Sequence, residues 1–305
     1  MIFLEYNFKD KKGNDIYITA WKPTGEAKRI LHIVHGMTEH IGRYEVFAKR
    51  LNESGTLVIG MDLPGHGRSN TKAKCATLGE TGWDDTLINI EYINSVLSKR
   101  YTGIPLIMLG FSLGSFIIRD YMAKGPNMVS GAVIAGTGSQ PSAVLTMLKK
   151  VVCGQIKKVG FNNPSELVTN LSFGTYNKKF TPTRTIADWL CSDEDEIDKY
   201  LNDELSKPEI STGLFYQMLD GMQRTGKLDI YNNWNKDNKI LLISGTDDPV
   251  GSNGKGVESV KKQMEKAGIK DVKMQLIENC RHDIFHEISN GGFDKVCKVI
   301  IDFIG

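Results

Sequence analysis

A serine set between two glycines, a pair of adjacent aspartates and a late histidine are the residues of this chain whose types and order could do nucleophilic chemistry. The serine is Ser112, in the run Gly110-Phe111-Ser112-Leu113-Gly114. An apolar run, Pro105–Gly110, leads into it, and a helical pattern, Leu113–Lys124, follows at once. A G-x-S-x-G at a strand-to-helix junction predicts a nucleophile elbow. The sharp turn lifts the serine Oγ above the end of the sheet, and Gly110 and Gly114 relieve the crowding around it. The N–H of Leu113, at the helix start, then points into the same space and is suited to an oxyanion.

A serine nucleophile needs a base and a group to orient that base, and the expected chain order is Ser, Asp, His. The apolar strand Ile240–Ser244 ends in Gly245-Thr246-Asp247-Asp248, and spacing leaves both aspartates open. The next predicted strand, Val272–Ile277, leads into a loop carrying His282, at the same edge of the sheet. His286 is a weaker rival, expected at the start of the following helix. A second oxyanion donor should come from the loop after an early strand. Ile33-Val34-His35-Gly36-Met37 fits, with the Met37 N–H as donor and Gly36 allowing close approach. His35 reads as structural, holding this loop by hydrogen bonds. His32 and His35 point to opposite sides of a strand. No H-E-x-x-H, G-x-G-x-x-G or phosphate-binding G-x-x-x-x-G-K-[ST] occurs, so neither a metal nor a cofactor is expected.

These residues must be carried to one place. Phe3–Phe8 and Ile16–Trp21 read as a hairpin; Ile30–Val34, Thr56–Met61, Pro105–Gly110, Ala132–Ala135, Lys239–Ser244 and Val272–Ile277 are short apolar strands. Helical patterns at Tyr44–Glu53, Asp84–Arg100, Leu113–Lys124, Val257–Lys266 and Asp294–Phe303 alternate with them. That alternation predicts an α/β fold with a mostly parallel sheet and helices on both faces. It is interrupted over 137–230, where Ser142–Val159, Leu190–Leu205 and Thr212–Arg224 are helical. Ser192 is expected to cap the second of these, ahead of the acidic run Asp193–Glu196. The division expected is a core of 1–136 and 231–305 with 137–230 inserted as a helical cap.

Composition excludes several function classes. In 305 residues, 38 basic against 36 acidic side chains leave a charge of +2, too small to argue for nucleic acid. No apolar stretch is long enough to span a membrane or to serve as a secretory signal near the start. The five scattered cysteines suggest reduced thiols and a cytoplasmic location.

Three stretches carry a family resemblance. They are Gly110–Gly114; His35-Gly36-Met37-Thr38-Glu39-His40 followed by Gly42-Arg43-Tyr44; and Asp62-Leu63-Pro64-Gly65-His66-Gly67-Arg68-Ser69. Together they resemble the monoacylglycerol lipase and lysophospholipase-like serine hydrolases of the α/β-hydrolase superfamily. Phe173–Asn177, Thr183-Arg184-Thr185 and Asp188-Trp189-Leu190 are similar to bacterial lysophospholipase-type members. The resemblance implies the α/β-hydrolase fold and Asp248, rather than Asp247, as the acid. It also implies His282 as the base with His286 outside the triad, and Met37 and Leu113 as oxyanion donors. Phe111 departs from the histidine that lipase members usually have before the nucleophile, and Ser115 departs from a common glycine.

The function expected is hydrolysis of a small-molecule ester or lipid through Ser112, His282 and Asp248. The apolar faces of Ser142–Val159 (Val144, Leu148, Val151, Val152) and Thr212–Arg224 (Leu214, Phe215, Met218, Leu219, Met222) are candidates for an acyl pocket or for core. Lys149, Lys150, Lys157 and Lys158 flank the first face, which suggests either a solvated helix surface or transient contact with a membrane surface. A peptidase or C–C hydrolase on the same fold, or a ligand-binding protein without activity, are the alternatives. Epoxide hydrolase and dehalogenase chemistry needs an aspartate where this chain has Ser112.

Overall fold

The computed structural model describes residues 1–70, 74–206 and 209–305. Its strands are β1 (Ile2–Lys9), β2 (Asp15–Lys22), β3 (Arg29–Val34), β4 (Thr56–Met61), β5 (Leu106–Phe111), β6 (Val129–Ala135), β7 (Lys239–Gly245) and β8 (Asp271–Ile277). Its helices are α1 (Glu45–Asn52), α2 (Gly82–Arg100), α3 (Leu113–Met122), α4 (Ser142–Val159), α5 (Glu166–Phe173), α6 (Glu194–Asn202), α7 (Thr212–Thr225), α8 (Lys255–Lys266) and α9 (Gly292–Ile304).

The strands form one sheet in the order β1-β2-β4-β3-β5-β6-β7-β8. β1 pairs antiparallel with β2, and β2 with β4; every later pairing is parallel. The expected α/β architecture with a mostly parallel sheet is the one observed. The strand sequences explain it. All six residues of β4 and of β5 are buried, as continuous apolar runs require when helices cover both faces. β8, at the sheet's far edge, is buried only at its end. One face packs under α2, α3 and α8, with Ile30, Met108 and Ile240 meeting Ile90, Ile117 and Val260. The other packs under α1 and α9, where Phe293, Val296, Cys297 and Ile300 recur at helical spacing.

Parallel strands send all their C-terminal ends to one edge, and the loops that leave it collect there. Ser112 follows β5 directly, Met37 lies just past β3, Asp248 just past β7, and His282 on the loop after β8.

Between β6 and β7 the chain runs through α4, α5, α6 and α7. Ser142–Val159 and Thr212–Thr225 lie where the sequence places helices. The middle differs. The expected helix 190–205 is shorter, Glu194–Asn202, and its cap is Asp193, whose side chain accepts from the Glu196 N–H at 3.2 Å. Ser192 is unavailable for capping, because its N–H and hydroxyl both donate to Glu287. α5 was not foreseen. His286 also differs, lying in the loop ahead of α9 rather than at its start.

Candidate active site

The turn at Ser112 is tight. Ser112 has φ 51° and ψ −115°, a backbone state that costs a non-glycine residue energy and persists only where its surroundings impose it. Its N–H donates to Ala135 O at 3.0 Å. A Cβ on Gly110 would lie 2.4 Å from Gly114 O, and one on Gly114 would lie 2.0 Å from Val34 O. Only glycine lets α3 start this close to β3 and β5. Ser115, buried in the first turn, donates its hydroxyl to Ser112 O at 2.6 Å.

The structure brings Ser112, His282 and Asp248 together and leaves Asp247 and His286 apart from them. His282 Nε2 lies 2.9 Å from Ser112 Oγ, and Nδ1 lies 2.9 Å from Asp248 Oδ1. With Nδ1–H donating to the carboxylate, Nε2 is left to accept from the serine hydroxyl. Asp248 is fully buried and also accepts from Ser244 Oγ at 2.7 Å and the Val250 N–H at 2.8 Å. Burial alone would raise its pKa. The His282 ring and these hydrogen bonds outweigh burial and hold the carboxyl below its ordinary value. Asp247 faces outward to Lys179 at 2.7 Å.

The loop after β3 is built around polar groups. His35 accepts the Leu63 N–H at Nε2 (2.9 Å), so Nδ1 carries the proton donated to Gly36 O at 2.7 Å. Burial pushes this ring's pKa well down, as suits a structural histidine. The Gly36 N–H donates to Glu39 Oε1 at 2.6 Å. Glu39 Oε2 accepts from Arg43 at 2.8 Å, and Arg43 reaches across to Asp283, next to His282, at 2.9 Å. Asp283 Oδ1 lies 2.9 Å from His286 Nδ1, and His286 Nε2 lies 3.1 Å from Arg43 O. His286 therefore belongs to the bracing between the two loops. Burial would raise Asp283, but His286 and Arg43 overcome it and hold the carboxyl well below the usual range. Thr38 has φ 67°, unusual for a β-branched residue, and Tyr200 of α6 donates to its hydroxyl at 2.9 Å.

Met37 lines a small cavity of about 30 Å³ together with Ser112, Phe111 and His282. The Leu113 N–H is the first of those that a helix leaves without an internal partner. An adjoining cavity of about 290 Å³ shares Thr38, Phe173, Trp189, Leu190 and Tyr200 with the first. Its lining comes mostly from α5, residues 186–190 and α6. The α4 and α7 faces named from sequence go elsewhere: Val152, Leu214, Phe215 and Leu219 are buried in the core under the sheet. Lys149 pairs with Asp220 at 2.5 Å and is not a free basic group. Phe173, Trp189 and Tyr200 are the cavity residues that spacing could not single out.

Among the described residues no group of three or more His, Cys, Asp or Glu side chains is arranged to hold a metal ion. Among them, too, no helix is long and apolar enough to cross a membrane.

A profile of the Hydrolase_4 family, described as serine aminopeptidase, S33, matches residues 25–289. Human monoglyceride lipase is 25% identical over 295 residues, covering 93% of this chain and 86% of that protein. A monoacylglycerol lipase of Mycolicibacterium smegmatis is 32% identical over 154 residues, 48% of this chain and 53% of that one. A thermostable carboxyl esterase from Bacillus coagulans, solved in complex with glycerol, superposes with a TM-score of 0.90 at 25% identity, covering 100% of this chain and 98% of that one.

Proposed function

The chain belongs to the Hydrolase_4 family, with the α/β-hydrolase fold, and is a carboxylic ester hydrolase of the monoacylglycerol lipase type; from that premise we propose that it cleaves monoacylglycerols or lysophospholipid-like esters in the cytoplasm, with Ser112, His282 and Asp248 as its catalytic triad. The observation that carries this reading is the hydrogen-bonded chain from Ser112 Oγ through His282 to the buried Asp248, beside a largely apolar cavity.

In this mechanism His282 Nε2 takes the proton of Ser112 Oγ as the oxygen attacks the ester carbonyl. Asp248 holds the ring in the tautomer that leaves Nε2 basic and offsets the imidazolium charge. The N–H groups of Met37 and Leu113 receive the oxyanion, each contributing about 3 kcal/mol to the transition state. His282 then returns the proton to the leaving alcohol, and water repeats the sequence on the acyl-enzyme. The segment 137–230 acts as a cap, since Phe173, Trp189, Leu190 and Tyr200 stand over the serine and form the wall shared with the larger cavity. That cavity suits an acyl chain. Among its described lining residues there is no carboxylate, and Glu39 and Asp283, which line the smaller cavity, are both paired with Arg43; neither is left for a substrate ammonium, which favours an ester over an aminopeptidase substrate.

The test is Ser112→Ala, assayed on short p-nitrophenyl esters and on monoacylglycerols and lysophospholipids of rising chain length. We expect turnover to fall by at least about 10⁴-fold on every substrate the parent cleaves, with the circular dichroism spectrum and Tm retained. Turnover close to the parent's in that variant would remove the proposed nucleophile.

A further inference from the structure

Hydrogen bonds fix two atoms of the His282 ring, and two aromatic rings fix its plane. The Trp189 indole stacks on the imidazole, with centroids 5.3 Å apart and 29° between the planes. The Phe111 ring lies 4.9 Å away at 36°. Both aromatic side chains are themselves braced. Phe173 stacks on Trp189 at 5.6 Å and 23°, Tyr176 lies 4.9 Å from it, and the backbone N–H of Trp189 donates to Asn177 Oδ1 at 2.8 Å. Phe285 meets Phe111 edge-on at 5.6 Å. His282 itself is only 1% exposed.

The charged and titratable neighbours of the ring are few. Asp248 bonds Nδ1, and Ser112 faces Nε2. Asp283 turns its carboxylate to Arg43 and His286. Arg281 directs its guanidinium to the carbonyls of Asp188 and Cys191. The Tyr176 phenol, raised to about 12 by burial and then by Asp248, stays neutral. Among the described residues, Asp248 is therefore the one charged group bonded to this ring. With the His282 ring almost wholly buried, an imidazolium with one counter-charge still lacks solvation on its faces. An aromatic face within about 6 Å of a cation supplies part of it, more strongly when water is excluded.

We propose that Trp189, supported by Phe111, is a positioning residue for the ester hydrolysis: its indole face holds the His282 ring in line with Ser112 and favours the protonated ring formed as the serine attacks. The inference rests on the triad reading above. It gives the segment between β6 and β7 a share in the chemistry as well as in the walls of the cavity.

The experiment is the pH profile of kcat/KM on a short p-nitrophenyl ester, measured on the full chain for the parent, Trp189→Leu, Trp189→Phe and Phe111→Leu. Loss of the indole face disfavours the charged ring, so in Trp189→Leu the acid limb should move to lower pH by about 0.5–1 unit. The plateau above it should fall by roughly 3- to 30-fold. Trp189→Phe, which keeps a π face, should recover most of both changes. Phe111→Leu should shift the limb in the same direction and keeps the inference testable if Trp189→Leu does not fold. A purely packing role gives the opposite sign, because a smaller side chain admits water, water favours the charged ring, and the limb rises. A limb that stays or rises in Trp189→Leu and Phe111→Leu overturns the proposal, as does a Trp189→Phe profile no better than that of Trp189→Leu. Turnover close to the parent's in Ser112→Ala would instead overturn the triad reading, so the two failures are separable.

Discussion

Asp247 and Asp248 are neighbours in sequence and occupy different media in the fold. Asp248 is sealed from water and its two oxygens take three hydrogen bonds, from His282, Ser244 and Val250, while Asp247 shares an exposed ion pair with Lys179. Asp248→Asn keeps the shape but presents an amide where His282 needs a carboxylate, so we expect kcat to fall by about 10³–10⁴-fold. Asp247→Asn loses only an exposed pair, worth about 0–1 kcal/mol, and should stay within about threefold of the parent. A larger loss in Asp247→Asn would exchange the two roles. One residue of spacing cannot make this distinction, because it is burial that separates the two carboxylates, and burial depends on the ends of β7 and β8. The same holds for Trp189. An aromatic residue in a helical segment carries no sign of what it will stack on when its partner, His282, is far along the chain.

At the scale of elements, the sheet and its covering helices were legible because each strand is an apolar run and each helix an apolar stripe. The segment before α6 was not, since Ser192 and Asp193 both suit an N-cap and the tie is broken by Glu287, which takes the Ser192 hydroxyl. α5 is only eight residues long, and Ser165 at its N-cap makes no side-chain capping bond but donates to Gln155 instead. The contact between β3 and α2 bears on acid stability. His32 is fully buried there, with Nδ1 2.7 Å from Asn94 Oδ1 and no partner for Nε2 among the described residues. Burial pushes its pKa down to about 4, against an ordinary 6.5. Well above pH 6.5 neither the folded nor the unfolded ring is charged and stability is unaffected. As pH falls from 6.5 towards 4 the unfolded chain binds a proton that the folded chain refuses, and the fold loses about 1.4 kcal/mol per pH unit from this residue. Between pH 7 and pH 5 the urea midpoint of His32→Gln should therefore fall less than the parent's, by the equivalent of about 2 kcal/mol. Equal pH dependence in the two proteins would show that His32 is not the group responsible.

Across the whole molecule, one buried cation on α3 clasps both ends of the segment between β6 and β7. Arg119 of α3 donates to Thr225 O at 2.8 Å and Tyr231 Oη at 3.0 Å, where the segment ends, and to Thr137 Oγ1 and Gly138 O at 3.4 Å, where it begins. Removing this side chain strands several polar groups in a dry interior. Arg119→Met should cost about 2–4 kcal/mol in urea unfolding and open residues 137–230 to limited proteolysis before the sheet is cut. Cleavage first within the sheet would show that Arg119 does not hold the segment. The lapse in strand rhythm shows in the sequence that helices lie between β6 and β7, but it does not show the clasp, because an arginine in a helix reads as a surface residue until its four acceptors are seen around it.

Ser112 and His282 meet across 170 residues of chain. In the proposed reading a growing polypeptide completes its serine turn early and then extends through the whole helical segment and two further strands before its base exists. Throughout synthesis the nascent chain is inert toward esters, and in refolding the return of activity marks the arrival of β8 and its loop rather than the first collapse of the sheet. An ester assay run alongside a spectroscopic one would time the last step of assembly separately from the first.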